Sequence, residues 1–189
     1  MNLSNQEFLV QAAIMHAQFE IIHPFCDGNG RTGRILIPLF LWRKGLISAP
    51  MFYISEFFDE NRDQYVDNLR RITNENDWER WILFFLEAVQ IQAKRNNEKA
   101  TQVLHLYREM RDRMVDLTKS PYALKVLDAL FTAPIMKTAD FIKFAGLEPK
   151  SAHRIISKLK DEKILATIQK HSGRTSEILA FDQLYQIIR

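Results

Sequence analysis

The residues most suited to chemistry lie together in one short stretch, His23-Pro-Phe-Cys-Asp-Gly-Asn-Gly-Arg-Thr-Gly-Arg34. Gly28 and Gly30 let the backbone take conformations closed to other residues and approach a ligand closely. The stretch runs into a helix, whose unpaired first N–H groups and positive dipole end form a phosphate seat. Successive N–H groups from Gly28 to Arg31 form a candidate anion nest. Asp27 offers a hard oxygen suited to Mg²⁺ held on phosphates. Arg31 and Arg34 supply forked donors for phosphate oxygens. His23 has the side chain suited to a general base at neutral pH. The combination is that of a site where a hydroxyl attacks a nucleotide phosphate.

Each part has a plainer reading. A histidine before a proline is often structural, an Asp-Gly-Asn-Gly run is often only a turn, and an arginine pair on a helix is often a solvated face. Their convergence within one stretch favours chemistry. Phe25 reads as the anchor of the loop. Cys26, with nothing to support a thiolate, is not read as a nucleophile. The spacing Gly28-x-Gly30-x-x-Gly33 matches a dinucleotide fingerprint, but that fingerprint needs a preceding strand, and here the preceding segment is helical.

Two helices must position this loop. Apolar residues Phe8, Ala12, Met15, Phe19 and Ile22 recur at helical spacing, and Pro24 stops that helix. A second helix is expected from about 31 to Lys44, kinked or broken at Pro38 and capped by Gly45. Residues 46–58 read as apolar and irregular. Asp59 is expected to cap a helix running to about Ile72, and Asp77 another that carries Trp78, Trp81, Phe84 and Phe85. Residues 92–118 read as a long amphipathic helix. Past Ser120-Pro121 the pattern changes to short helices over 122–131, 138–145 and 148–162. Two alternating segments follow, 164–169 and 176–181, around a Ser172-Gly173-Arg174 turn. Three helices and a hairpin outline a winged helix-turn-helix domain. The fold class expected is mainly α: a helical core over 1–118, then the winged-helix domain over 119–189.

Composition narrows the partners. One cysteine excludes a disulfide framework within this sequence. That single cysteine fits a reducing, cytoplasmic setting, and no apolar run is long enough for a membrane span. The net charge of +3 is unevenly distributed: residues 1–118 hold 14 Lys/Arg and 16 Asp/Glu, and residues 119–189 hold 12 and 7. The basic C-terminal third, with Lys150, His153, Arg154 and Lys158 on one helix, is a candidate nucleic-acid surface. A solvated lysine-rich face and a domain for protein contacts stay open beside it.

The stretch His23-Pro-Phe25-x-Asp27-Gly28-Asn29-Gly30-Arg31-x-x-Arg34 resembles the signature of Fic-domain proteins. The likeness continues through Leu39 to Leu46, Tyr53-Ile-Ser55, Tyr65-x-x-x-Leu69 and Asp77-Trp-x-x-Trp81. The resemblance implies a helical core that transfers AMP from ATP, with Mg²⁺, to a Ser, Thr or Tyr hydroxyl of a target protein. It makes His23 the general base and Asp27 the metal ligand. Gly28, Asn29, Gly30 and Arg31 are placed on the α- and β-phosphates, and Arg34 on the γ-phosphate. Tyr65 and Asn74 become candidate adenine contacts. The retained Gly-Asn-Gly favours AMP transfer over phosphate transfer.

Members of that family usually carry helices and a target-aligning β-hairpin flap before the motif, and many carry an inhibitory helix whose Glu pairs with the last motif arginine. With 22 residues ahead of His23, the chain is expected to be an N-terminally truncated piece, with Arg34 unrestrained and apolar surface on 8–22 and 76–91 favouring a homodimer. Two other readings remain: a nucleotide-sensing DNA-binding regulator and a catalytically crippled fragment.

Overall fold

The computed structural model describes residues 3–170 and 176–189, with side chains from Glu7 onward. The expected Ser172-Gly173-Arg174 turn lies outside the described residues. The chain divides into two compact units, Met1–Asn97 and Glu98–Arg189. It is mainly helical with one small antiparallel sheet.

The first unit contains α1 (Leu3–Ile22), α2 (Asn29–Arg43), α3 (Ser55–Glu60), α4 (Arg62–Glu75) and the start of α5 (Trp78–Thr118). Helices α1 and α2 pack along each other. Small residues permit this: Ala12, Ala13 and Ala17 are fully buried, and Gly33 lies at the crossing. A Cβ on Gly33 would collide with the Glu20 carboxylate and lie 3.1 Å from the Phe19 ring. The core beneath is aromatic, built on Phe57, Phe58, Tyr65, Trp81, Phe84 and Phe85. Trp81 is wholly buried, and its indole N–H donates to the Ala13 carbonyl at 2.8 Å, tying α5 to α1.

Helix α1 ends as expected before Pro24, but through His23 itself, which turns left-handed at φ 50° while its N–H donates to the Phe19 carbonyl. The αR region is disfavoured before proline, and histidine is among the residues that tolerate αL. Helix α2 runs through Pro38 without the expected break. Gly45 closes it, with the Leu46 N–H reaching the Leu41 carbonyl, a Schellman-type end. The region expected to be irregular contains α3. Asp59 lies inside α3 and does not cap α4, whose N-cap position is Asn61. Asp77 does cap α5, accepting the Arg80 N–H at 3.2 Å.

Helix α5 is continuous for 41 residues. Its early part belongs to the first unit. Its later residues Leu106, Met110 and Met114 belong to the second core, so the units divide at 97/98 rather than at 118/119. The second unit continues with α6 (Ala123–Thr132), β1 (Ile135–Lys137), α7 (Thr138–Ala145), α8 (Pro149–Asp161), β2 (Ala166–Gln169), β3 (Ile178–Ala180) and α9 (Asp182–Ile188). The strands order β1-β3-β2, with Ile135 opposite Ala180 and Ala166 opposite the same residue from the other side. Strand β1 and helix α9 exceed the sequence expectation. The core of this unit includes Leu127, Leu130, Phe141, Leu159, Leu179 and Phe181. Among the described residues no helix is long and apolar enough to cross a membrane.

Candidate active site

The loop between α1 and α2 is built around Asn29. This residue is 2% exposed, and its side chain clamps the backbone of Phe25 from both sides. Its carbonyl oxygen accepts the Phe25 N–H at 2.9 Å and its amide donates to the Phe25 carbonyl at 2.6 Å. The Phe25 ring lies 6.2 Å from that of Phe19 yet remains half exposed, so it is only partly the anchor expected. Gly28, at φ 83°, takes the left-handed turn into α2, with its N–H donating to Asp27 Oδ1 at 2.7 Å. A side chain there would be strained whatever the room.

No side chain caps α2. The Thr32 N–H returns to the Gly28 carbonyl at 3.0 Å. The N–H groups of Asn29, Gly30 and Arg31, ahead of the first helical bond, are those an α-helix leaves for a ligand. Arg31 and Asp27 flank them, both more than four-fifths exposed and 3.7 Å apart. At that exposure the pair contributes little to stability and is available to solution.

His23 is exposed, and its Nδ1 lies 3.3 Å from the Glu20 carbonyl. When Nδ1 carries the proton, that contact orients the ring and leaves Nε2 as its unprotonated nitrogen. Arg34 differs from Arg31. Its side chain is about three-quarters buried, and Nη1 donates to Asp59 Oδ1 at 2.7 Å. The sequence expectation of an unrestrained Arg34 is therefore corrected: α3, unforeseen, brings Asp59 to it.

Residues 1–41 match the model of the Fic/DOC family. The chain is 29% identical over 151 residues to a probable protein adenylyltransferase of Aquifex aeolicus, covering 77% of this chain and 41% of that protein. It is 35% identical over 91 residues to the protein adenylyltransferase Fic of Aedes aegypti, 46% of this chain and 17% of that protein. Against a protein adenylyltransferase of Caenorhabditis elegans it is 51% identical over 35 residues, 18% of this chain and 7% of that protein. The chain thus spans less than half the length of these relatives.

The structure brings His23, Asp27, Gly28, Asn29, Gly30, Arg31 and Arg34 to one α1–α2 end. Tyr65 is not at an open surface. It is 8% exposed, 4.8 Å from the Phe58 ring, edge-on to Trp81, and its hydroxyl meets His16 Nε2 at 3.0 Å. Burial, and then the nearby Glu20 charge, raise its hydroxyl pKa. It offers no open ring face to a base, so the expected adenine contact is corrected to a core role. Asn74 is exposed near the end of α4. An open cavity of about 530 Å³ between α4 and α5, lined by Asp63, Asp67, Asn68, Arg80 and Phe84 among others, includes no residue of the loop.

His16, Glu20 and the packing role of Gly33 are not apparent from the motif. Burial brings His16 down to about 4, so it is neutral at physiological pH. Burial raises Glu20 above the usual carboxylate range, while the charges of His23 and Arg34 draw it back. The signal was available: His16 and Glu20 are four apart on the apolar face that carries Ala12, Ala13 and Ala17.

Among the described residues no group of three His, Cys, Asp or Glu is placed to hold a metal. The donor set fits a metal held largely by a ligand: a single exposed carboxylate, Asp27, beside an anion seat is how Mg²⁺ is commonly bound through phosphates.

Proposed function

We propose that this chain transfers AMP from ATP to a hydroxyl side chain of a target protein. The observation that carries the reading is the loop itself: Asn29 fixes its path into an uncapped helix start, with Asp27, Arg31 and His23 exposed beside it. The family and the printed names of the relatives agree with it.

In this reading the incoming Ser, Thr or Tyr oxygen forms a bond to the α-phosphorus while the α,β-bridging bond breaks and pyrophosphate leaves. His23 Nε2 takes the hydroxyl proton. The N–H groups of Asn29, Gly30 and Arg31 hold phosphate oxygens, Gly28 makes the turn that presents them, and Arg31 balances developing charge. Asn29 contributes through its backbone, because its side chain is engaged by Phe25. Arg34 engages the terminal phosphate by exchanging Asp59 for it. Asp27 would hold Mg²⁺, which when bound neutralises phosphate charge. Asn74 is retained as a candidate nucleotide contact, and a cytoplasmic setting goes with the substrate.

Incubation with α-labelled ATP, Mg²⁺ and a cell lysate tests this, with His23→Ala alongside. Labelled protein that vanishes in the variant is expected. Equal labelling by both proteins would remove His23 from the role of base.

A second reading concerns the other unit. Lys150, His153, Arg154 and Lys158 all lie exposed on α8, although Lys158 Nζ also reaches the Leu117 carbonyl at 3.5 Å. The order α6-β1-α7-α8-β2-β3 supports a winged-helix reading, with α8 as its candidate recognition helix. Salt-dependent binding of duplex DNA by the full chain, lost in Lys150→Glu/Arg154→Glu, is the expected result if this face reads nucleic acid. No binding at low salt ends that reading.

A further inference from the structure

Beneath the loop lie three buried polar atoms with no hydrogen-bond partner among the described residues: His16 Nδ1, Glu20 Oε1 and Arg34 Nε. They gather at one helix crossing. Glu20 Oε1 lies against the Cα of Gly33, where only a glycine leaves it room. Leaving a polar atom buried and unpaired costs roughly 1–3 kcal/mol. Stability alone gives no reason to drive a carboxylate into this crossing, where an apolar side chain would pack at lower cost.

The placement has a consequence three residues on. The Glu20 carbonyl already orients the His23 ring through Nδ1, and the carboxylate of the same residue lies within electrostatic reach of the imidazole and of Arg34. We propose that Glu20 is a positioning residue for His23, its carboxylate serving as the counter-charge of the imidazolium that forms when His23 accepts a proton. Backbone and side chain of one residue thus fix the ring's orientation and favour its protonated state. This rests on the reading of His23 as general base.

The charged and titratable groups around Glu20 come from every element packed there. His16 and His23 come from α1, Arg34 from α2 with Asp59 of α3 behind it, and Tyr65 from α4. His16 is neutral, and Asp59 offsets Arg34. Glu20 is thus left as the negative group acting on His23 from below.

The test is the imidazole titration of His23, followed by NMR in the free chain. Its resonance among the five histidines is assigned with His23→Gln. In Glu20→Gln, of the same shape without charge, the His23 midpoint is expected to fall by about half a pH unit to one unit. Glu20→Asp, which keeps the charge on a shorter arm, is expected to recover at least about half of that shift. A Glu20→Gln midpoint equal to wild type, in a protein with an unaltered unfolding transition, overturns the proposal. So does an equal fall in both variants, since that marks a loss of packing rather than of charge. Transfer of label is measured separately. A shifted titration without any transfer by wild type would leave this inference standing and remove the proposed activity. Transfer with an unshifted titration would do the reverse.

Discussion

His16 gives the most quantitative test of the fold that supports the site. Its ring is wholly buried, stacked 5.6 Å from Phe58 and 6.0 Å from Trp81, with Nε2 on the Tyr65 hydroxyl. Burial lowers its pKa from 6.5 to about 4. The folded value lies below the unfolded one, so between those limits the unfolded chain takes up a proton that the folded chain refuses, and stability falls as pH falls. Integrating the two titrations gives a loss of about 2 kcal/mol on going from pH 8 to pH 5, approaching about 3 kcal/mol at pH 4. Glu20 acts in the opposite sense. Its raised value means the folded state holds its proton to higher pH, so its contribution is present in acid and lost as pH rises through that folded value. Both proteins in the comparison keep Glu20, so their difference isolates His16. The variant is His16→Gln, which retains a polar neighbour for Tyr65 and cannot titrate. All three tryptophans, Trp42, Trp78 and Trp81, lie in the first unit, so urea unfolding followed by their fluorescence reports that unit alone. Wild type is expected to lose about 2 kcal/mol more than the variant between pH 8 and pH 5. Parallel pH curves would refute the neutral buried imidazole and the aromatic packing derived from it.

Asn29→Ala removes both bonds to Phe25 and leaves its backbone unpaired, so a stability loss of about 1–3 kcal/mol is expected, with a larger loss of ATP affinity measured by calorimetry. Gly33→Ala drives its new methyl against Glu20 and Phe19, at an expected cost of about 1–3 kcal/mol. By displacing Glu20 it should also lower the His23 titration midpoint in the NMR experiment, in the direction of Glu20→Gln. Asp59→Asn releases Arg34, so ATP affinity is expected to rise by roughly twofold to tenfold while AMP affinity changes little. Equal effects on both nucleotides would argue against Arg34 meeting the terminal phosphate.

Much of this architecture was legible because local rules governed it. Pro24 and the pre-proline residue forced α1 to stop, Gly45 and Gly146 closed their helices with positive φ, and Asp77 capped α5. The expected helix over 138–145 coincides with α7 because a glycine follows it. What was missed depended on distant partners. Strand β1 is three residues long and exists by pairing with β3, more than forty positions away in sequence. Helix α3 carries two fully or nearly buried phenylalanines, Phe57 and Phe58, and the aromatic core that accepts them comes largely from α4 and α5. Tyr65 was read as a ligand contact because an aromatic in a functional family invites that reading. Its burial goes with His16, whose place on the apolar face of α1 can be read but whose partner, 49 positions away, cannot.

The same distinction separates two kinds of polar residue in the loop. Asp27 and Arg31 are exposed and engage each other only loosely, so a ligand can take either without breaking the fold. Asn29 and Arg34 are buried or partly buried and held by the surrounding structure. A motif read from sequence treats all of these as contacts to phosphate. Burial divides them: exposed groups can trade partners at low cost, whereas buried ones trade only if the replacement restores what is lost. Arg34 is the one that joins the two sets. Asp59 satisfies Nη1 while Nε stays unpaired, so an incoming phosphate would exchange one exposed carboxylate for a more highly charged anion without exposing the rest of the side chain. That exchange makes Asp59 and Glu20 separable by experiment. Asp59 substitutions should act on nucleotide affinity and leave the His23 titration in place, and Glu20 substitutions should move the titration first.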